Sequence, residues 1–476
     1  MASYYLAVDI GASSGRHILG HMENGRLVLE EVWRFENGMT EQDGQLCWNL
    51  EHLWENIIEG LKQCSRLGKI PKSMGIDTWA VDFVLLDERN RLLTPAVGYR
   101  DHRTEGMDRE VAKKISQKQL YARTGIQKQI FNTIYQLMAI KKTQPKLLER
   151  AKAFLMIPEY FNFLLTGNKI AEYTNATTTQ LVRAETGTWD TELLELLGYP
   201  APMFLPIAMP GQTVGHLRPE LQAQIGFDCA VVLPATHDTG SAVLAVPARS
   251  DDCIYISSGT WSLIGIERSA ADCSPASMAA NFTNEGGYGR RFRYLKNIMG
   301  LWMIQSVRHE LGDRYSFSDL CDMACAHGDF SSRVDVNDPR FLSPENMTRA
   351  IQEACRESGQ PVPNTPGELA AVIYQSLADS YGTAVREIEA LTGRRFTKIH
   401  IVGGGSNADY LNALTAKATG CTVCAGPAEA TAIGNLLAQL LSDGCFATLL
   451  EARSCVFDSF GVRTFDGQSE KEENRL

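Results

Sequence analysis

Three short stretches of the chain bring together small, acidic and hydroxyl residues at spacings that suit chemistry. The first is Asp9-Ile10-Gly11-Ala12-Ser13-Ser14-Gly15-Arg16. Small residues let backbone N–H groups approach an oligophosphate without side-chain obstruction, and Ser13 and Ser14 add hydroxyl donors. A carboxylate at the mouth of such a turn can hold Mg2+, usually through water, because that ion gives up its hydration shell reluctantly. The bland alternative is a tight hairpin with an incidental Asp, although an unpaired Asp buried in an apolar strand is costly. The stretch is not a Walker A loop, which needs GxxxxGK[ST].

The second stretch is His237-Asp238-Thr239, between an apolar run and a small-residue run. Two readings stand side by side here. Asp238 can be a working carboxylate beyond the carboxyl end of a strand, or an ordinary helix N-cap. A hydrolase reading fits poorly: adjacent residues on an extended segment point in opposite directions, and no GxSxG elbow supplies a nucleophile. The third stretch is Ile401-Val402-Gly403-Gly404-Gly405-Ser406-Asn407, a strand–glycine–helix junction that permits close approach of a nucleotide. A dinucleotide-binding loop competes with that reading, but GGGSNA is not GxGxxG. Lesser candidates are Asp77 to Asp82 (including Ala80), Tyr99-Arg100-Asp101, Asn132, Asn297 and Gln305, each with an alternative as a cap or turn residue. Trp79 and Trp302 read as core or pocket walls.

The elements that must position these groups follow from periodicity. Residues 4–10 form an apolar strand ahead of the first turn, and residues 17–22 and 26–35 read as two more strands joined by Asn24-Gly25, a strong hairpin signal. Leu53, Trp54, Ile57, Ile58 and Leu61 make one apolar stripe of a helix with Asn49 as its N-cap. Strands are expected at 73–77 and 81–86. Residues 109–165 read as mostly helical, with amphipathic stretches at 111–121, 133–142 and 146–154. A buried strand at 229–234 leads into His237. Residues 253–266 then repeat the opening plan of strand, small-residue turn and strand, so a second half begins near 246–252. Helices at 300–311 and 368–392 and a strand at 398–402 complete it. The expected domains are residues 1–246 and 247–476, with a cleft between them carrying one phosphate hairpin on each wall.

Bulk properties agree with an α/β protein of two domains. The 476 residues exceed one ordinary core, and two domains of roughly 200–250 residues are the natural expectation. With 44% hydrophobic and 21% charged residues the composition is that of a soluble globular protein. A formal net charge of −10 argues against nucleic acid or an anionic membrane as partner. No signal or membrane segment is evident, and twelve scattered cysteines suggest reduced thiols in the cytoplasm. Cys421/Cys424 and Cys321/Cys325 lack the partners a zinc site would need.

Longer runs carry a resemblance. AVDIGASSGR from Ala7, GIDTWAVDFVLLD from Gly75, EYTNATTTQLV from Glu172, SSGTWSLIGIE from Ser257, NFTNEGG from Asn281, LKNIMGLW from Leu295 and HIVGGGSNADYLN from His400 are similar to the FGGY carbohydrate kinases. The resemblance spans nearly the whole chain. It implies the two-domain ribonuclease H-like fold of the hexokinase/actin/Hsp70 superfamily. EYTNATTTQL, TNEGG and KNIMGLW resemble in particular the branch of that family acting on L-rhamnulose. The implied reaction is ATP-dependent phosphorylation at O1, giving L-rhamnulose 1-phosphate in rhamnose catabolism, with Mg2+ as cofactor. Residue by residue, the resemblance makes Asp238 the base and gives His237, Thr239 and Asn297 to the sugar. It gives Ala12, Ser13, Ser14, Gly15, Arg16, Thr260, Gln305 and Gly403 to ATP, and Asp9 to Mg2+ through water. Ala80 departs from the glycine usual in that branch, at a position whose backbone is expected near the sugar. Alternatives are a family member acting on L-fuculose, a xylulose or glycerol, or a switch ATPase of the actin/Hsp70 kind.

Overall fold

The computed structural model describes residues 3–250 and 252–467. The fold divides into two units, each assembled from several segments. The first runs up to Ala245 and adds Glu267–Tyr294 and Thr431–Ser459; the second runs from Val246 to Ile266, adds Leu295–Ala430, and resumes at Phe460.

A six-stranded mixed sheet organises the first unit. Its order is Thr213–His216, Ala230–Val232, Pro71–Thr78, Tyr4–Ile10, Ser14–Glu23 and Arg26–Glu36. Tyr4–Ile10 pairs antiparallel with Ser14–Glu23 on one edge and parallel with Pro71–Thr78 on the other. Strands so enclosed are apolar almost throughout, and Leu6, Ala7, Val8 and Ile10 are fully buried. Helix Leu50–Arg66 starts where expected, the Asn49 side chain accepting from the His52 N–H. Its stripe of Leu53, Ile57 and Leu61 joins the core beneath the sheet.

The second unit repeats the same local plan. Ile254–Ser258 pairs antiparallel with Trp261–Arg268 and parallel with Lys398–Val402, which pairs parallel with Thr422–Ala425. Helices Trp302–Glu310, Phe317–Ala326, Pro366–Thr392 and Asp409–Thr419 cover it.

Two expected helices are interrupted. Residues 111–121 divide between Met107–Ala112 and Gln117–Thr124, because Ser116 and Gln119 form a capping box that starts a new helix. Residues 146–154 end as helix at Arg150, and Ala153–Met156 is a strand paired with Phe83–Leu86. Its apolar run, Ala-Phe-Leu-Met, has no period that separates strand from helix. The strand expected from residue 81 begins at Phe83, because Val81 adopts a positive φ of 67° in a bend.

His17 is enclosed between sheet and helix. The helix settles onto its ring at Gly60, where a Cβ would stand 2.3 Å from ring atoms. Burial lowers the His17 pKa from 6.5 to about 4. The unfolded chain takes up this proton below pH 6.5 while the folded chain refuses it until about 4, so stability falls as pH drops through that window. The contribution is about 3 kcal/mol at its largest. Urea midpoints at pH 7, 5.5 and 4.5 check this: His17→Gln should lose less stability on acidification than the native chain, and equal losses would refute it.

Candidate active site

In the first unit the site grows from the ends of two parallel strands. Their register sets Asp9 directly beside Asp77, and the antiparallel register sets Arg16 beside Asp9 on the other side. Arg16 donates from Nε and Nη2 to Asp9 Oδ2 at 3.0 and 2.9 Å. Asp77 is fully buried and accepts from Asn435 Nδ2 at 2.5 Å. Asn435 and Gln439 continue inward: Gln439 donates to Asn435 Oδ1 at 2.8 Å and to the Leu6 carbonyl at 2.9 Å, and accepts from Ser73 Oγ at 2.7 Å.

Burial raises the pKa of both carboxyls. For Asp9 the Arg16 guanidinium opposes the rise and Asp238 adds to it. For Asp77 the rise is larger, because the Asp9 charge adds to burial and only Asn435 opposes it. Two facing buried carboxyls cannot both ionise cheaply, so the charge on one raises the cost of charge on the other.

The turn after Asp9 is closed by the Gly11 N–H donating to the Ser14 carbonyl at 2.8 Å. Asn37 fixes it further, its backbone N–H donating to Ser13 O at 3.0 Å and its Nδ2 to Gly11 O at 2.8 Å. The carbonyls are thus held by the protein. The N–H groups of Ala12 and Ser13 have no protein acceptor among the described residues. Gly15 and Arg16 belong to the following strand.

Past Asp77 the chain bends through Trp79, Ala80 and Val81. Asp82 holds this bend: its Oδ2 accepts from Trp48 Nε1, Trp79 Nε1 and the Tyr99 N–H at 2.7, 2.9 and 3.0 Å, and its Oδ1 from Gln136 Nε2 at 3.0 Å. Burial still raises its pKa to about 6. Ala80 stays half-buried on the bend.

His237 and Asp238 reach the same sheet end through an extended bridge between Thr78 and His237. Helix Asp238–Leu244 has His237, not Asp238, at its N-cap position, and no side chain caps it. Asp238 Oδ1 instead accepts from the Thr239 N–H at 2.5 Å and from Thr239 Oγ1 at 3.0 Å. The bridging segment hangs on Glu172. That buried carboxylate accepts from the N–H and hydroxyl of Thr174, the Asn175 N–H, and the N–H and hydroxyl of Thr236. Behind His237 lie Glu285 and Arg293, on the strands Thr283–Gly286 and Phe292–Met299.

In the second unit, Thr260 sits at the tip of the turn between Ile254–Ser258 and Trp261–Arg268. The Gly259 N–H closes this turn on the Trp261 carbonyl at 2.9 Å, and the Leu301 and Trp302 N–H groups donate to Gly259 O and Thr260 O at 2.9 and 3.1 Å. Gln305, on helix Trp302–Glu310, accepts from Thr260 Oγ1 at 3.4 Å. Gly403 has a φ of 85° and begins the glycine junction, which lies against Ser258. A cavity of about 250 Å3 beside it is lined by Ser406, Asn407, Pro427, Glu429, Phe460 and Arg463, among others. Asn297 is half-buried on Phe292–Met299.

A Cβ at Gly405 would stand 1.9 Å from Ser258 Oγ. Gly405→Ala should therefore push the glycine junction away from Ser258 and weaken nucleotide binding about tenfold. Calorimetric titration with ADP checks this, and unchanged affinity would show the junction to be unused.

Sequence reasoning named Asp77 only as a lesser candidate and missed Glu172, Glu285, Arg293 and Asn435 as site-forming residues. EYTNATTTQL and TNEGG hold two of them, Glu172 and Glu285, among polar residues without a local explanation. In the fold the two runs meet, the Gly286 N–H donating to Thr177 Oγ1 at 2.8 Å.

A profile for the N-terminal domain of the FGGY family of carbohydrate kinases matches residues 4–245, and the profile for its C-terminal domain matches residues 254–442. The chain belongs to the FGGY family of carbohydrate kinases. This FGGY kinase is 53% identical over 463 residues to the Rhamnulokinase of Halalkalibacterium halodurans, covering 97% of this chain and 98% of that one. It is 43% identical to the Rhamnulokinase of Bacillus subtilis, covering 97% and 95%. Among solved structures it resembles a ligand-bound xylulose kinase from Lactobacillus acidophilus, with a TM-score of 0.81 at 17% identity over 98% of this chain and 94% of that one. Plasmodium falciparum glycerol kinase with ADP gives a TM-score of 0.77 at 14% identity, over 98% and 94%. At such identity these structures speak for the two-domain α/β fold alone. The chain is a sugar kinase, an enzyme taking a sugar acceptor and ATP as co-substrate. No helix among the described residues is long and apolar enough to cross a membrane.

Proposed function

We propose that this FGGY kinase transfers the γ-phosphoryl group of ATP to O1 of L-rhamnulose, giving L-rhamnulose 1-phosphate and ADP in rhamnose catabolism. The observation that carries the reading is full-length identity of 53% to a protein named Rhamnulokinase. The half-exposed Asp238 carboxylate beside His237 and Thr239 supports it.

Phosphoryl transfer asks mainly for positioning and charge neutralisation. Asp238 Oδ1 is engaged by Thr239, which leaves Oδ2 to take the proton of the attacking hydroxyl as the new O–P bond forms. His237, Thr239, Asn297 and the backbone at Ala80 hold the sugar. Ala12, Ser13, Ser14, Gly15, Arg16, Thr260, Gln305 and Gly403 contact ATP, the free N–H groups of Ala12 and Ser13 meeting phosphate oxygens.

The donor set suits Mg2+. Asp9 stands at the mouth of the turn, with Arg16 offsetting part of its charge. Asp9 would hold the ion through water, together with substrate phosphates, because Mg2+ keeps much of its hydration shell. When bound it supplies neutralisation of phosphate charge. The cytoplasm suits twelve cysteines of which none forms a disulfide, and it is the proposed compartment.

ADP release would be measured with Mg·ATP and, one at a time, L-rhamnulose, L-fuculose, D-xylulose, L-xylulose, glycerol or no sugar. Large stimulation by L-rhamnulose alone is expected. Stimulation by another sugar would keep the mechanism and implicate residues such as Ala80. Turnover indifferent to sugar would overturn the reading.

A further inference from the structure

We infer that Arg293 and Glu285 are positioning residues that lock His237 as the neutral tautomer with its proton on Nε2. The inference rests on the proposed role of His237 beside the base.

Both ring nitrogens point to the same tautomer. Arg293 Nη2 lies 3.0 Å from His237 Nδ1 with hydrogen-bond geometry. A guanidinium can only donate, so Nδ1 must offer a lone pair. Nε2 lies 3.4 Å from Asp238 Oδ1. An N–H there attracts the carboxylate, whereas a lone pair would repel it. The opposite tautomer would set N–H against N–H at one nitrogen and lone pair against carboxylate at the other.

The arginine is itself held. Its side chain is fully buried, Nε donates to the Gly286 carbonyl at 2.8 Å, and Nη2 lies 3.0 Å from Glu285 Oε2. Glu285 neutralises the guanidinium and in turn is held below the usual carboxylate range by the Arg293 charge against the effect of burial. Glu285 Oε2 is 3.4 Å from Nδ1, farther than Arg293. The charged groups around His237 are therefore Arg293 and Glu285 from the strands behind it and Asp238 from its own helix. Glu172 acts on the backbone through Thr174, and Asp77 precedes the bridging Thr78. The Nε2–H is thus presented on the Asp238 side, where a hydroxyl acceptor would bind, and Oδ2 of Asp238 stays free for the acceptor's proton.

The test is long-range 1H–15N correlation of the full-length protein at pH 7, with the His237 signals assigned from a His237→Asn sample. Nδ1 should resonate as an unprotonated ring nitrogen and Nε2 as a protonated one. A proton on Nδ1, alone or with Nε2, would overturn the inference. Arg293→Met should mix the tautomers and raise KM for the sugar about tenfold while KM for ATP stays within about twofold. Glu285→Gln should keep the tautomer, because the arginine still donates. Equal changes in both KM values in Arg293→Met, with the tautomer unchanged, would reduce the pair to a structural role and defeat the inference. The spectrum of the native chain needs no variant other than the assignment sample. Absence of sugar-stimulated turnover in the native enzyme would instead strike at the proposed function.

Discussion

Replacing Asp238 by Asn is expected to lower kcat about a thousandfold while ADP and ATP bind within about twofold of normal. A sugar hydroxyl is far too weak an acid to ionise near neutrality, so its proton must leave as phosphorus is attacked. Asn keeps the shape and one acceptor oxygen but has no basic oxygen to receive that proton. The carboxylate owes its orientation to Thr239, whose N–H and hydroxyl both engage Oδ1. The nucleotide contacts proposed here lie on other elements, which is why binding should survive. Steady-state kinetics with saturating sugar, together with calorimetric titration of ADP, separates the two quantities. Near-normal kcat, or lost nucleotide binding with an intact fold, would remove Asp238 from the role of base.

The second large effect is expected at a residue far less obviously functional. Glu172→Ala should destabilise the protein by about 5 kcal/mol, with Glu172→Gln costing about 2. The carboxylate accepts five hydrogen bonds, and every donor belongs to a buried group of Thr174, Asn175 or Thr236. Alanine leaves all five donors without an acceptor in a site closed to water. Glutamine keeps one acceptor oxygen but turns its NH2 group, itself a donor, against donors that need an acceptor. Because Thr236 and Thr174 carry His237, the glutamine variant should also lose activity beyond its loss of stability. Denaturant unfolding and kinetics on the same samples check both statements. An alanine variant with an unchanged midpoint would show that water or neighbouring groups replace the carboxylate.

Much of the candidate site was legible because it is local. The Asp9 turn, the glycine junction at Gly403 and the Asn49 cap are defined by residues a few positions apart, and the structure shows a turn, a junction and a cap at those places. The helix expected over 111–121 failed for an equally local reason, the overlooked capping box at Ser116. The strand at Ala153–Met156 could not be read locally at all. Four apolar residues fit either state, and only their pairing with Phe83–Leu86 decides between them.

By itself the sequence determined the family, through its longer runs, and the local turns, caps and glycine junctions, since these depend on neighbours in the chain. Tertiary structure alone decided the partnerships that tune those segments. Strand register set Asp9 against Asp77, a helix from near the chain's end brought Asn435 to that pair, and two strands carried Glu285 and Arg293 to His237. These contacts join residues distant in sequence, and each draws its strength from burial, which no spacing of residue types along a chain encodes.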